Sequence, residues 1–436
     1  MKLPNQVTRM TGIFPSARSS QQLLIASILL YGAVIAFHAE RTYTHLRMPN
    51  SQGDDNWGMM DFQDTVYYPV RAFIEGVNPY DTVSYRKVYP ASQLFPLYSP
   101  LTLLVHSPYY LVPFHGAMAI HFGVSALCIL VIAYLAVKFS LKTTERWLVF
   151  VVASLICMLR PGHLALAGGQ IVGEMVIASL IAIHYSRSSP LLSGFALALS
   201  TLKPTFGIPL VALLACRRDF QAVGIGLCVA AAGSFIAVLI LAIHAGGIVE
   251  LLSIIPENMK NFESHSSARL QTTEMRIDLQ MFISRFFQRE FSSTEQVLIF
   301  IGMIGTSGVV LNRMDRNEGS SEMDSPGGLL IALTVLLCVY HSVYDSLILF
   351  PALFALYFPS SPSWKCKSTI LRLTILAGVT IPFVNIFMLR SLRLAFSLTN
   401  SMVEFGITLN SAGIVLAYVA TVSYCVREIF GRRLIR

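Results

Sequence analysis

Long apolar stretches recur along the whole chain and are separated mostly by short charged connections. An α-helix rises about 1.5 Å per residue, so about 20 apolar residues cross the ~30 Å hydrocarbon core of a membrane. The pattern predicts an all-α polytopic membrane protein with about twelve transmembrane or half-membrane helices. We predict these helices over residues 22–38, 117–138, 146–160, 169–185, 190–202, 204–216, 219–243, 295–312, 327–341, 345–358, 368–388 and 405–427.

Two apolar segments are interrupted. Residues 190–216 form one stretch broken at Lys203-Pro204. Each half is too short to cross a membrane alone, which predicts a helix-break-helix hairpin with its break buried in protein or facing water. Residues 97–113 are cut by three prolines, a pattern typical of an interfacial or re-entrant piece.

The composition supports a membrane protein and excludes other classes. Hydrophobic residues make up 54% of the chain and charged residues 13%, against roughly 25% charged residues in soluble domains. The net charge of +8 does not indicate nucleic-acid binding, because no basic stretch is interleaved with exposed aromatic residues. The seven cysteines include no CxxC spacing, so we predict no metal ligands; whether activity requires a metal is left open.

The distribution of basic residues predicts the orientation of the chain. Segments on the side of the N-terminus are richer in Lys and Arg than the two long loops on the other side, so both termini are predicted to be cytoplasmic. We predict a cytoplasmic N-terminus (1–21) and an N-terminal transmembrane module (22–243) that includes the first outer loop (38–96). A second outer loop (244–294), a C-terminal transmembrane module (295–427) and a cytoplasmic C-terminus (428–436) follow.

Residues 61–76 of the first outer loop have the periodicity of an amphipathic helix lying in the membrane plane, with a kink expected at Pro69. Its apolar stripe consists of Phe62, Val66, Val70, Phe73 and Ile74. Its polar face consists of Asp61, Asp64, Tyr68, Arg71 and Glu75. Composition alone favours Asp61 as a helix N-terminal charge, and the Asn78-Pro79-Tyr80-Asp81 run that follows as an ordinary turn.

Four motifs in order give these residues a more specific meaning. They are Asp61-Phe62, the turn Gly76-Val77-Asn78-Pro79-Tyr80 with the later segment Tyr98-Ser99-Pro100, Gly169-Gln170, and Lys203-Pro204. Together they resemble glycosyltransferase family 87, bacterial membrane enzymes of the GT-C superfamily typified by polyprenol-phosphate-mannose-dependent mannosyltransferases. The resemblance covers roughly residues 22–220. Two departures concern Ser99, which replaces a proline of the family's Tyr-Pro-Pro, and Ile171-Val172-Gly173-Glu174, where the family has an Asn.

The resemblance implies a GT-C-like fold and an inverting glycosyltransferase in a bacterial plasma membrane, with its active site outside. The donor would be a polyprenyl-phosphate sugar carrying mannose, arabinofuranose or another sugar, and the acceptor a glycolipid or glycan hydroxyl. Asp61 matches the family's catalytic base. One carboxylate suffices, because a lipid phosphate departs without an acid. No cofactor is implied beyond the lipid-linked donor.

Other candidate residues would contact the donor or the acceptor. Lys203 is a cation within an apolar stretch, suited to the leaving phosphate, unless it extends to the membrane interface. Arg276 is the candidate from the second outer loop. His341 and Asp345 share a helix face if that helix continues, where they bind substrate or form a structural pair. The remaining candidates are Asp64, Tyr68, Asn78, Tyr80 and Gln170.

Two other functions fit a polytopic chain. A secondary transporter also has broken helices, but two outer loops of this size and the lack of a repeat relating the two halves disfavour it. A lipid or glycolipid flippase is the second alternative. A helix over 61–76 beside a lipid-sized groove would favour the enzyme, and a cavity at the membrane midplane a transporter.

Overall fold

The computed structural model describes residues 17–46, 57–93, 95, 98–141, 145–264, 274–315, 323–358, 364, 368–385, 395–397 and 399–433. Within these ranges the regular elements are helices. They are, in chain order, α1 Ala17–Thr44, α2 Met60–Phe62, α3 Tyr68–Glu75, α4 Thr82–Val88, α5 Leu101–Val105, α6 Phe114–Leu141, α7 Arg146–Met158, α8 Arg160–Gly168, α9 Val172–Tyr185, α10 Pro190–Ser200, α11 Pro204–Cys216, α12 Phe220–Ala245, α13 Ile248–Ser264, α14 Leu279–Phe287, α15 Ser293–Asp315, α16 Pro326–Cys338, α17 Phe350–Tyr357, α18 Thr369–Val384 and α19 Asn400–Arg433.

Five of these helices, α1, α6, α12, α15 and α19, are long and apolar enough to cross a membrane. The shorter apolar helices α9, α10, α11, α16 and α18 lie where half-membrane or membrane helices are predicted. The fully buried helix α16 forms the centre of the bundle, packed against α11, α15 and α19. The prediction of an all-helical polytopic membrane protein is confirmed.

The predicted span 146–160 is not straight. Helix α7 ends at Met158, and the chain bends by 78° at Leu159 into α8. Gly162 makes this bend possible, because a Cβ atom there would lie only 2.0 Å from the carbonyl oxygen of Ile156. The bend carries α8 toward the first outer loop, where it contacts α2.

The predicted hairpin over 190–216 is present as α10 and α11. Arg187 precedes α10, and its Nε lies 2.9 Å from Oδ1 of Asp219, which follows α11. Arg217 is fully buried and donates to the same carboxylate at 2.6 Å. The two ends of the hairpin therefore meet, and Lys203 lies at its opposite, turned end.

Residues 61–75 are helical, but the polar face predicted for them is wrong, because two of its residues are buried. Helix α2 continues through a π-helical turn, Gln63–Tyr67, into α3, with Pro69 in the first turn of α3. The π-turn adds a residue to the helical repeat, so positions before and after it no longer share one face. Asp64 and Tyr68 are consequently buried beneath neighbouring elements. Asp61 at the start and the last turn, where Arg71 and Glu75 pair at 2.6 Å, keep part of the expected exposure.

Candidate active site

The Asp-Phe and Gly-Gln motifs lie against each other. The side-chain amide of Gln170 donates a hydrogen bond to Oδ2 of Asp61. The backbone N–H of Met59 donates to the carbonyl of Ala167 at 2.8 Å, which ties the start of α2 to the end of α8. The contact joins residues more than 100 positions apart and gives Gln170 a direct role in orienting the Asp61 carboxylate.

Two glycines before Gln170 allow this close approach. A Cβ atom on Gly168 would lie 3.0 Å from Oδ2 of Asp61. Gly169 has a φ of +70°, a left-handed conformation that favours glycine, and its Cβ would lie 2.7 Å from Cβ of Phe62. The Gly-Gly-Gln run is therefore shaped to receive Asp61-Phe62.

Asp61 has the electrostatics of a base that acts near neutral pH. Burial and the neighbouring Asp64 carboxylate raise the pKa of Asp61 to about 7, while the Gln170 hydrogen bond and the Lys203 charge lower it in part. The residue as a whole keeps intermediate exposure. A pKa near the working pH suits general-base catalysis.

Lys203 is held by an acidic residue from the distant C-terminal half. Its Nζ lies 2.7 Å from Oδ1 and 2.8 Å from Oδ2 of Asp345. Asp345 also accepts the backbone N–H of Ser342 at 2.8 Å and lies 3.0 Å from Nδ1 of His341. Lys203, His341 and Asp345 form one buried trio, so the alternative in which Lys203 extends to the membrane interface does not hold.

The helix expected to join His341 to Asp345 does not continue. Helix α16 ends at Cys338, and residue 339 is extended. Ser342 then caps a 3₁₀-helix, Val343–Leu349, in which Asp345 completes a capping box. His341 and Asp345 therefore meet across a cap rather than on one helical face.

The contacts of His341 hold its ring at both nitrogens. Its Nε2 lies 3.1 Å from the carbonyl oxygen of Thr205, and its Nδ1 faces the Asp345 carboxylate. His341 therefore ties the Asp345 carboxylate to the first turn of α11.

Arg276 reaches the same region from the second outer loop. It forms an antiparallel bridge with Ser342, and Ile277 donates its backbone N–H to the carbonyl of His341 at 2.9 Å. Its guanidinium pairs with Asp278 at 2.8 Å and lies 4.8 Å from the ring centre of Tyr340. The second outer loop thus closes over the turn that carries His341.

The Tyr98-Ser99-Pro100 segment docks on the break before Lys203. The backbone N–H of Ser99 donates to the carbonyl of Leu202 at 3.1 Å, and Oγ1 of Thr102 donates to the same oxygen at 3.0 Å. A proline at position 99 has no N–H for this bond. The departure from the family pattern at Ser99 therefore adds a hydrogen bond that holds the hairpin turn.

A family model matches the chain across most of these elements. The model of glycosyltransferase family 87 matches residues 96–339, more than half of the chain. This protein belongs to glycosyltransferase family 87. It is therefore a membrane glycosyltransferase, which decides against the transporter and flippase alternatives. Comparisons with curated proteins and with solved structures gave no significant match.

The matched range corrects the expected extent of the resemblance. It starts after Asp61 and Asn78, so the assignment of these residues depends on the motifs and on the contacts described above. It continues well beyond residue 220, through Arg276 and up to the turn before His341. The second outer loop of this family 87 glycosyltransferase therefore lies within the matched range.

Four predicted contact residues have structural partners in this glycosyltransferase. Asp64 accepts the backbone N–H of Gln93 at 2.8 Å, and Tyr68 receives a hydrogen bond from Gln63 at 3.2 Å. Asn78 accepts the backbone N–H of Tyr80 at 3.0 Å within the turn. The Tyr80 hydroxyl donates to the carbonyl of Tyr98 at 2.6 Å. These residues shape the first outer loop around Asp61.

Sequence reasoning missed Tyr340 and Tyr344, and it named Tyr98 only as part of a motif. Nζ of Lys203 lies 5.3 Å from the ring centre of Tyr344, and Tyr340 packs under Arg276. Burial and the charges of Asp61 and Asp345 raise the pKa of Tyr98. A signal was available, because Tyr340 and Tyr344 flank His341 and Asp345 in the run Tyr340-His341-Ser342-Val343-Tyr344-Asp345.

Proposed function

We propose that this family 87 glycosyltransferase moves a sugar, mannose in the first instance, from a polyprenyl-phosphate donor to a lipid-linked or glycan hydroxyl, with Asp61 as general base. The observation that carries the proposal is the Asp61 carboxylate held by Gln170, with Lys203 among the charges that act on it. A base beside a cation is what sugar transfer from a phosphate requires: one accepts a proton, and the other stabilises the departing charge.

The reaction is a single displacement. Asp61 takes the proton of the acceptor hydroxyl as its oxygen attacks the anomeric carbon. The bond between this carbon and the phosphate oxygen breaks, and the phosphate leaves with the bonding electron pair. Attack from the face opposite the leaving group inverts the anomeric configuration. Lys203, held in place by Asp345, stabilises the phosphate, and Gln170 keeps the base in position.

The proposed orientation puts this site on the outer side of a bacterial plasma membrane with both termini cytoplasmic. Arg187, Arg217 and Asp219 gather at the end of the α10–α11 hairpin opposite Lys203. A cluster rich in arginine suits the cytoplasmic side. The site residues on the two outer loops then lie on the opposite side, where a lipid-linked sugar and a cell-envelope acceptor meet.

The test is a transfer assay with purified protein in lipid nanodiscs. Polyprenyl-phosphate mannose, polyprenyl-phosphate arabinofuranose and polyprenyl-phosphate glucose are offered separately, each with a membrane glycolipid extract as acceptor. We expect transfer from one lipid-phosphate sugar and inversion of its anomeric carbon by NMR of the product. Transfer from a nucleotide sugar alone, or retention of configuration, contradicts the proposal.

A further inference from the structure

His121 is a buried polar residue in the apolar helix α6, outside every motif of the site. Its Nε2 lies 3.0 Å from the carbonyl oxygen of Gly169. Its Nδ1 lies 3.1 Å from the hydroxyl of Tyr109. Its ring stacks on Phe62, with centroids 4.5 Å apart and an angle of 21° between the planes. One imidazole therefore contacts both the Asp-Phe and the Gly-Gln segments.

These contacts determine the tautomer. The carbonyl of Gly169 only accepts, so Nε2 of His121 carries the hydrogen. In the neutral ring Nδ1 then accepts the hydroxyl hydrogen of Tyr109. Both nitrogens are thereby satisfied, and no side chain other than an imidazole offers this donor, acceptor and flat ring together.

We propose that His121 is a positioning residue that holds Gln170 in hydrogen-bond contact with Asp61. Phe62 and Gly169 are the chain neighbours of Asp61 and Gln170, so the His121 ring fixes the backbone on both sides of that hydrogen bond. The inference rests on the proposed role of Asp61 as base. His121 acts through Gln170 and has no contact with the reacting atoms.

Asp61 and His121 have different charged and titratable neighbours. Besides Gln170, Asp61 is influenced by Asp64 and Lys203, and the hydroxyls of Tyr98 and Tyr344 are close enough to respond to its charge. The groups around His121 are Tyr109, His106 and Glu174. His106 and Glu174 pair with each other at 3.2 Å. Substituting His121 removes none of the groups that act directly on Asp61, so its effect must pass through the position of Gln170.

The test compares the pH dependence of kcat/KM. The Gln170 hydrogen bond lowers the pKa of Asp61, so releasing Gln170 keeps the base protonated to a higher pH. His121→Leu should move the ascending limb of the profile up by about one pH unit, the equivalent of one hydrogen bond. Activity should return at alkaline pH. Gln170→Ala should move the ascending limb by the same amount. The double variant, His121→Leu with Gln170→Ala, should move it no further than either single variant.

Two controls separate positioning from general damage. His121→Gln restores a donor to Gly169 and should return the limb toward the wild-type position. His115→Leu removes an exposed histidine of the same helix and should leave the profile unchanged. If His121→Leu cannot be purified, Tyr109→Phe removes only the hydroxyl partner and should move the limb in the same direction.

A lower rate with an unmoved limb, in His121→Leu or in its Tyr109→Phe replacement, overturns the inference and reduces His121 to a packing residue. Additive shifts in the double variant also overturn it. If instead the proposed role of Asp61 as base is wrong, Asp61→Asn would remain active. The two failures are therefore distinguishable within one set of proteins.

Discussion

Nζ of Lys203 lies 2.7 Å and 2.8 Å from the two carboxylate oxygens of Asp345, across a separation of 142 residues. The pair is buried, so removing one partner leaves an uncompensated charge in the protein. This relationship changes how the role of Lys203 should be tested. A single substitution affects folding and donor binding together.

We predict that Lys203→Met lowers both thermal stability and donor use, with a folding cost of about 3–5 kcal/mol for breaking a buried pair. The double variant Lys203→Met with Asp345→Asn should regain thermal stability, because no unpaired charge remains. It should not regain donor affinity, because the cation for the phosphate is absent. Melting curves and donor binding by the nanodisc-embedded protein measure the two effects. Wild-type affinity in the double variant would assign Lys203 to folding alone.

Asp61→Asn should reduce turnover by roughly 10²–10⁴-fold, the usual contribution of a positioned base. Donor binding should hardly change, since the lost interaction belongs to the transition state. Single-turnover kinetics at saturating donor give the comparison. Asp64→Asn is the matched control: it weakens acceptance of the Gln93 backbone N–H and should reduce stability more than turnover. An inactive Asp64→Asn beside an active Asp61→Asn would move the base to Asp64.

The rate of transfer should rise with pH through about 7. Asp61 accepts a proton only when ionised, and burial raises its pKa to about 7. Activity is therefore expected to be lost as pH falls below this value and to be complete above it. The measurement is kcat/KM between about pH 5 and pH 9, which reports on the free enzyme. A profile that is flat through neutrality would contradict the assignment.

Gly169→Ala should impair both folding and catalysis. Alanine in the left-handed region costs about 1–2 kcal/mol, and its Cβ would be forced against Phe62 at 2.7 Å. The thermal midpoint and the transfer rate should both fall, because the loop that presents Gln170 must shift. Gly123→Ala is the control, since a Cβ at position 123 has no atom within 4 Å. Equal behaviour of the two variants would refute the packing argument.

The orientation predicts opposite labelling of two exposed positions. Ser84 lies in the first outer loop and Ser188 between α9 and α10. In intact cells an impermeant maleimide should label Ser84→Cys and spare Ser188→Cys, which should react only after permeabilisation. The wild-type chain, with its native cysteines, provides the background. Selective labelling of Ser188→Cys would invert the proposed topology.

Hydropathy predicted most of the helices because lipid leaves the backbone few alternatives to helix formation. It also located the break at Lys203-Pro204, since a cation and a proline interrupt an apolar run visibly. The partner of Lys203 could not be predicted, because periodicity describes neighbours along one helix and Asp345 comes from another. The polar face assigned to residues 61–76 failed because one π-turn shifts the register, and the sequence around it gives no periodic sign of that turn.

The hairpin of α10 and α11 has a consequence for biosynthesis. Its arms of 11 and 13 residues are each too short to cross the bilayer, so they must leave the translocation machinery together. Asp345 follows Lys203 by 142 residues, so the hairpin is synthesised before its acidic partner. The nascent chain therefore carries an uncompensated cation until its C-terminal half is inserted. A translation product of this enzyme that ends before Asp345 would therefore lack the carboxylate that pairs with Lys203.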